Sequence, residues 1–140
     1  MKSIAVGCVV ASALMGAASA QGMKEIVPGS KEFMLYFDSG QSSVGNADQN
    51  GVLDAAVAYA KSNGMHKVTV IGHTDTAEAN PQALSLTRAN AVVAGLKSHG
   101  LPASVQIKSV TGEGASDLAI QTAPKTPEVL HRRVAVDLEP

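Results

Sequence analysis

A chain of 140 residues allows one domain, or one domain and a targeting segment. With 45% hydrophobic and 16% charged residues and a net charge of -1, it has a globular composition, which argues against disorder and against electrostatic attraction to nucleic acid or an anionic membrane. Two Phe, two Tyr and no Trp leave little for base stacking, and the single cysteine, Cys8, excludes an intrachain disulfide framework or a Cys-based zinc site.

Met1 and Lys2 precede an uncharged, apolar run from Ile4 to Ala18, and Ala18-Ser19-Ala20 is a small-x-small triplet. This pattern predicts a secretory signal peptide, residues 1–20, cut after Ala20, with Cys8 inside its apolar centre. Loss of Lys2 leaves ten basic against twelve acidic residues, a net charge of -2 for residues 21–140. No later run approaches membrane-spanning length, so no transmembrane segment is expected in the mature chain.

Residues 21–31 are polar and carry the turn signal Pro28-Gly29, a short leader before a domain over 32–140. Phe33 to Phe37 is apolar without alternation and predicts a strand covered on both faces. Val52, Leu53, Ala56, Val57 and Ala60 recur at helical spacing and predict a helix over 47–62, stopped by Asn63-Gly64. Lys67 to Ile71 is rich in β-branched residues and predicts the second strand.

Asn80-Pro81 is a helix start, Asn as the cap and Pro in the first turn, and Leu86, Ala89, Val93 and Leu96 form the apolar stripe that follows. Val105 to Thr111 is a third strand. A helical turn within 115–122 is weakly signalled. Val134, Val136 and Leu138 alternate with Arg133, Ala135 and Asp137, predicting a last strand with one wet face. The order β-α-β-α-β-loop-β is an α/β (α+β sandwich) arrangement, with helices on a mixed sheet whose first three strands can run parallel.

No catalytic constellation is evident. His66, His73, His99 and His131 lack metal-ligand spacing, and His73 with Asp75 has no accompanying nucleophile motif. The expectation is a non-enzyme without cofactor or metal. On residue chemistry alone Asp75 reads equally as a turn residue or backbone cap. Arg88 reads equally as a solvated side chain or the partner of a neighbour such as Glu78.

Four ordered segments go further: Tyr36-Phe37-Asp38-Ser39, Gly72-His73-Thr74-Asp75, Leu84-Ser85-x-x-Arg88-Ala89 and His131-Arg132-Arg133-Val134. Together they resemble the OmpA-like domain, the peptidoglycan-binding module of outer-membrane protein A, the Pal lipoprotein and flagellar stator proteins, over about residues 32–138. The resemblance implies a β-α-β-α-β-β core and non-covalent binding of diaminopimelate-type peptidoglycan in the periplasm. It assigns Asp75 and Arg88 to the free end of the diaminopimelate side chain, and Asp38, Ser39, Asn80 and Arg132 to further contacts. That end of the ligand is a zwitterion, which a carboxylate and a guanidinium at fixed separation complement.

Departures from the pattern are concrete. The segment from Thr76 to Pro81 is shorter than usual, the usual contact asparagine aligns with Pro81, the N-R-R asparagine is His131, and the G-x-G-E segment is Thr111-Gly112-Glu113-Gly114. They keep open a second reading, an OmpA-fold protein-interaction module that has lost peptidoglycan binding. Either reading leaves envelope proteins open as partners and places the chain in the cell envelope, associated with the outer membrane only through partners.

Overall fold

The computed structural model describes residues 27–140; the expected signal peptide and the first part of the leader lie outside the described residues. Strand β1 (Lys31–Tyr36) is followed by helix α1 (Ala47–Ser62), strand β2 (Lys67–Gly72), helix α2 (Pro81–Ser98), strand β3 (Gln106–Gly112), a short 3-10 turn (Val129–His131) and strand β4 (Arg133–Glu139). Helix α1 starts where Asn46 accepts the Gln49 amide while the Gln49 side chain returns to the Asn46 amide, a reciprocal cap. It stops at Asn63, ahead of Gly64.

The sheet order is β1-β4-β2-β3. Strand β4 lies antiparallel to both neighbours, and β2 pairs with β3 in parallel, so β1, β2 and β3 point the same way. The expected common direction is present, but β4 separates β1 from β2. Both helices pack against the sheet, burying Leu53, Ala56, Val57, Ala89, Val92 and Leu96 against Leu35, Val68, Val70, Val134, Val136 and Leu138. Each of these Val and Leu side chains, fully buried, stabilises the fold by roughly 1.5–3 kcal/mol relative to exposure.

The position of β4 corrects two expectations. Strand β1 is an edge strand: Leu35 and the following Phe37 are buried, while Tyr36 is 42% exposed. An apolar run here marks one covered face, not two. Strand β4 is central, and its predicted wet face is largely shielded, with Arg133, Ala135 and Glu139 all buried between neighbouring strands. Residues 115–122 form bends and turns and contain no helix.

Helix α2 is rotated from its predicted setting. Ser85, Arg88, Ala89, Val92 and Leu96 face inward, Val93 is only partly buried and Leu86 is 40% exposed. The reason is close approach. Gly72 and Gly112, paired across β2 and β3, sit directly beneath the first turns of α2. A Cβ on Gly72 would lie 1.9 Å from the Ser85 carbonyl oxygen, and one on Gly112 would lie 2.5 Å from the Leu86 nitrogen. Backbone meets backbone there, and the residues turned inward are a serine and an arginine.

Candidate functional site

One rim of the sheet gathers four segments. The carboxyl ends of β1, β2 and β3 deliver Asp38, Asp75 and Glu113, and the entry to β4 delivers Arg132. Helix α2 rises over this rim. Ser85 stitches it down by accepting the Gly114 amide at 2.9 Å and donating to the Gln82 carbonyl. The Gly114 carbonyl in turn accepts the Thr74 amide.

Arg88 is fully buried. Its Nε donates to the Gln41 carbonyl at 2.7 Å, Nη1 to the His73 carbonyl at 3.0 Å and to Glu78 Oε1 at 2.8 Å, and Nη2 to the Asp38 carbonyl at 3.3 Å and to Glu78 Oε2. Every N–H of the guanidinium therefore has an acceptor. Its carbon lies 5.2 Å from the centre of the Phe37 ring. Glu78 is held bidentate and also accepts the Gly40 amide at 2.8 Å and the Asp75 amide at 3.0 Å. The loop over 38–41 thus roofs the guanidinium, and the loop over 76–80 inserts a carboxylate beneath it.

Asp75 is equally enclosed. Its Oδ1 accepts the amides of Ala77 and Glu78, and its Oδ2 accepts the Glu128 amide at 3.0 Å and Arg132 Nη1 at 2.9 Å. Burial pushes this carboxyl up, but the Arg132 hydrogen bond, the amides of Glu128 and Ala77 and the Arg132 charge outweigh it. Asp75 is held below the usual carboxylate range. Arg132 is itself fixed by donating Nε to the Phe37 carbonyl at 2.8 Å. Thr76 ties the neighbouring loop to residues 123–126 through the Ala123 carbonyl and the Thr126 amide.

The structure therefore brings together Asp75, Arg88, Arg132 and the backbone of Asp38, as two linked ion pairs. Ser39 is exposed beside them and lines an open cleft of about 450 Å³ with Asp38, Gln41, Ser43 and Asn46. Asn80 is exposed and left-handed, with φ 50° and ψ 54°, and its side chain makes no capping bond. The expected Asn cap is absent because that backbone turns the side chain away from the first-turn amides, which need an extended cap residue. His131 is buried, its Nε2 within reach of the Ile120 backbone.

Glu78 is the residue that sequence reasoning placed only as a neighbour of Arg88; the signal was its position ten residues before Arg88 on the connecting loop. The Gly40 and Asp75 amides, which share its carboxylate, carry no side-chain signal at all. His73, Glu113 and Asp117 also lie close enough to one another to share an ion, with Asp117 near Arg133.

A sequence profile of the OmpA family matches residues 36–132, more than half of the chain. No curated protein matches significantly. Among solved structures, the cell wall anchor of the T6SS from Pseudomonas aeruginosa superposes with a TM-score of 0.65 at 19% identity, covering 90% of this chain and 93% of that one. The peptidoglycan-associated lipoprotein from Burkholderia pseudomallei gives 0.64 at 21% identity, covering 76% and 90%. The OmpA-like domain of FopA1 from Francisella tularensis gives 0.64 at 22% identity, covering 79% and 75%.

Proposed function

The chain belongs to the OmpA family, and from that membership we propose that it binds diaminopimelate-type peptidoglycan without catalysis. The site is the rim around Asp75 and Arg88, flanked by Asp38, Ser39, Asn80 and Arg132. The names of two similar structures, a peptidoglycan-associated lipoprotein and a cell wall anchor, support the reading. No helix among the described residues is long and apolar enough to cross a membrane. We place the chain in the periplasm, with the signal peptide removed after Ala20 and the domain over 32–140 acting there.

One observation carries the proposal. Arg88 already holds a carboxylate with both terminal nitrogens, and next to it Asp75 already holds a cation. The free end of diaminopimelate presents those same two groups, a carboxylate and an ammonium. Each charge-assisted hydrogen bond contributes roughly 1.5–3 kcal/mol net. One domain binds one stem peptide weakly, and the repeats of the wall raise retention.

The test is co-sedimentation of the protein with purified sacculi of two chemistries. Diaminopimelate-type walls are expected to pellet it, and the soluble peptide L-Ala-γ-D-Glu-meso-diaminopimelate to release it. Lysine-type walls, whose side chain ends in an ammonium alone, are expected not to. Equal pelleting with both walls, or with neither, refutes the assignment.

The enclosure of Asp75 and Arg88 favours a second reading, an interaction module of this fold that does not bind the wall. An amide spectrum unchanged by the tripeptide, together with a stable protein partner, would select it.

A further inference from the structure

Glu78 sits where a ligand carboxylate belongs. Its two oxygens take up the Arg88 guanidinium, the Gly40 amide and the Asp75 amide, three converging donors from three separate segments of the rim. Its side chain is 1% exposed. A buried carboxylate met by a bidentate arginine and two backbone amides is a complete anion site. Here the anion comes from the protein.

The segment that delivers it is held in an unfavourable conformation. Asn80 has φ 50°, a left-handed setting, and the residue after it is Pro81. A residue before proline is pushed toward extended geometry by the proline ring. Asparagine tolerates the left-handed region better than most residues but not without cost. Ala77, Ala79 and Asn80 are exposed, so side-chain packing hardly opposes a movement of residues 77–80. What holds them is the pair of Ala77 and Glu78 amides on Asp75, with Thr76 anchored to residues 123–126 before them.

Resting on the wall-binding reading above, we propose that Glu78 is an internal ligand that closes the carboxylate pocket of the free protein. The pocket's donors are Arg88, the Gly40 amide and the Asp75 amide. The diaminopimelate carboxylate takes these donors over as the 76–80 loop swings outward about Asn80. Binding is then a competition between two carboxylates for one set of donors, and apparent affinity scales with the fraction of molecules in which Glu78 is out. A tightening of about tenfold or more on removal of the competitor corresponds to an open population of about 10% or less in the free protein.

The experiment is calorimetric titration of the full chain with L-Ala-γ-D-Glu-meso-diaminopimelate. Glu78→Gln weakens the internal competitor and is expected to tighten binding by about tenfold or more. Unchanged or weaker binding by the folded variant, with the wild type binding, overturns the internal-ligand assignment and leaves wall binding standing.

Because Glu78→Gln strands a buried guanidinium and can compromise folding, a second comparison uses the exposed hinge. Asn80→Gly relieves the left-handed strain and favours the closed state. Asn80→Ala raises the strain and favours the open one. Both remove the same side-chain amide, so their difference reports the backbone alone. The Ala variant is expected to bind about fivefold tighter than the Gly variant; equal affinities or the reverse order overturn the proposal. Failure of every form, wild type included, to bind either the tripeptide or diaminopimelate-type sacculi overturns the wall-binding reading and the internal ligand together.

Discussion

Replacing Arg88 with alanine should come close to unfolding this protein. The side chain is fully buried and supplies a donor to the carbonyls of Asp38, Gln41 and His73 as well as to both oxygens of Glu78. Its loss leaves Glu78 with only the Gly40 and Asp75 amides, a buried carboxylate without a countercharge. Breaking a buried pair from one side costs about 3–5 kcal/mol, against a typical domain stability of about 5–15 kcal/mol. For a domain of this size that corresponds to a melting temperature lower by roughly 10–20 °C. Urea unfolding followed by circular dichroism measures it directly.

The same reasoning fixes what the double variant should do. Arg88→Met with Glu78→Gln removes both charges and should lose less than the sum of the losses of Arg88→Met alone and Glu78→Gln alone, by about 2 kcal/mol or more. An Arg88→Ala protein within about 1 kcal/mol of the wild type, or strictly additive single losses, would refute the view of Arg88 and Glu78 as a buried, mutually dependent pair. For the binding question the consequence is practical. Arg88→Ala confounds folding with recognition, whereas the wall chemistry and the Asn80 pair do not.

Three further outcomes are expected. Asp75 is held below its ordinary value of 3.8, so its contribution to stability is complete above that pH and is lost as pH falls through the lower folded value; urea midpoints of Asp75→Asn should lie below the wild type at pH 7, with the gap narrowing below about pH 4. Gly72→Ala forces a methyl group against the Ser85 carbonyl, which is backbone and cannot step aside, so thermal melting should reveal a loss of about 3 kcal/mol or more. Leu96→Ala should cost about 2–5 kcal/mol and Leu86→Ala less than about 1 kcal/mol in the same assay; equal costs would return the helix to the setting its apolar stripe suggested.

The local features of the fold were legible because they rest on local chemistry. Helix α1 carries its apolar spacing and its stop in sequence, and its observed range of Ala47–Ser62 coincides with the predicted one, although the Asn46 cap emerged only from the structure. Strands β2 and β3 and the start of α2 at Pro81 follow for the same reason. The neighbours of a strand are a different matter. Nothing in Arg133–Glu139 states that it will lie between β1 and β2, and the burial of both its faces follows only from that placement.

Helix α2 misled for a physical reason. Leu86, Ala89, Val93 and Leu96 form as good a helical stripe as the one actually buried, and the two differ by a modest rotation. The choice was made by glycines on other strands and by an arginine that finds every one of its partners inside. Asp75 and Arg88 stood out through their motifs, and Glu78 was visible as a neighbour. That Glu78 occupies the guanidinium is a contact over ten residues, but the roof that Asp38 and Gln41 place over it, and the Arg132 that occupies Asp75, come from positions about fifty residues away.

The central position of β4 also governs the order in which the molecule can assemble. Until residues 133–139 arrive, β1 has no hydrogen-bonded neighbour and β2 has only β3, so the chain emerging from its amino end cannot close its sheet. The contacts that complete the core are among the most distant in sequence, and such pairings form slowly. A polypeptide built this way cannot close its sheet until its last strand is in place, which makes sheet closure a late event in folding.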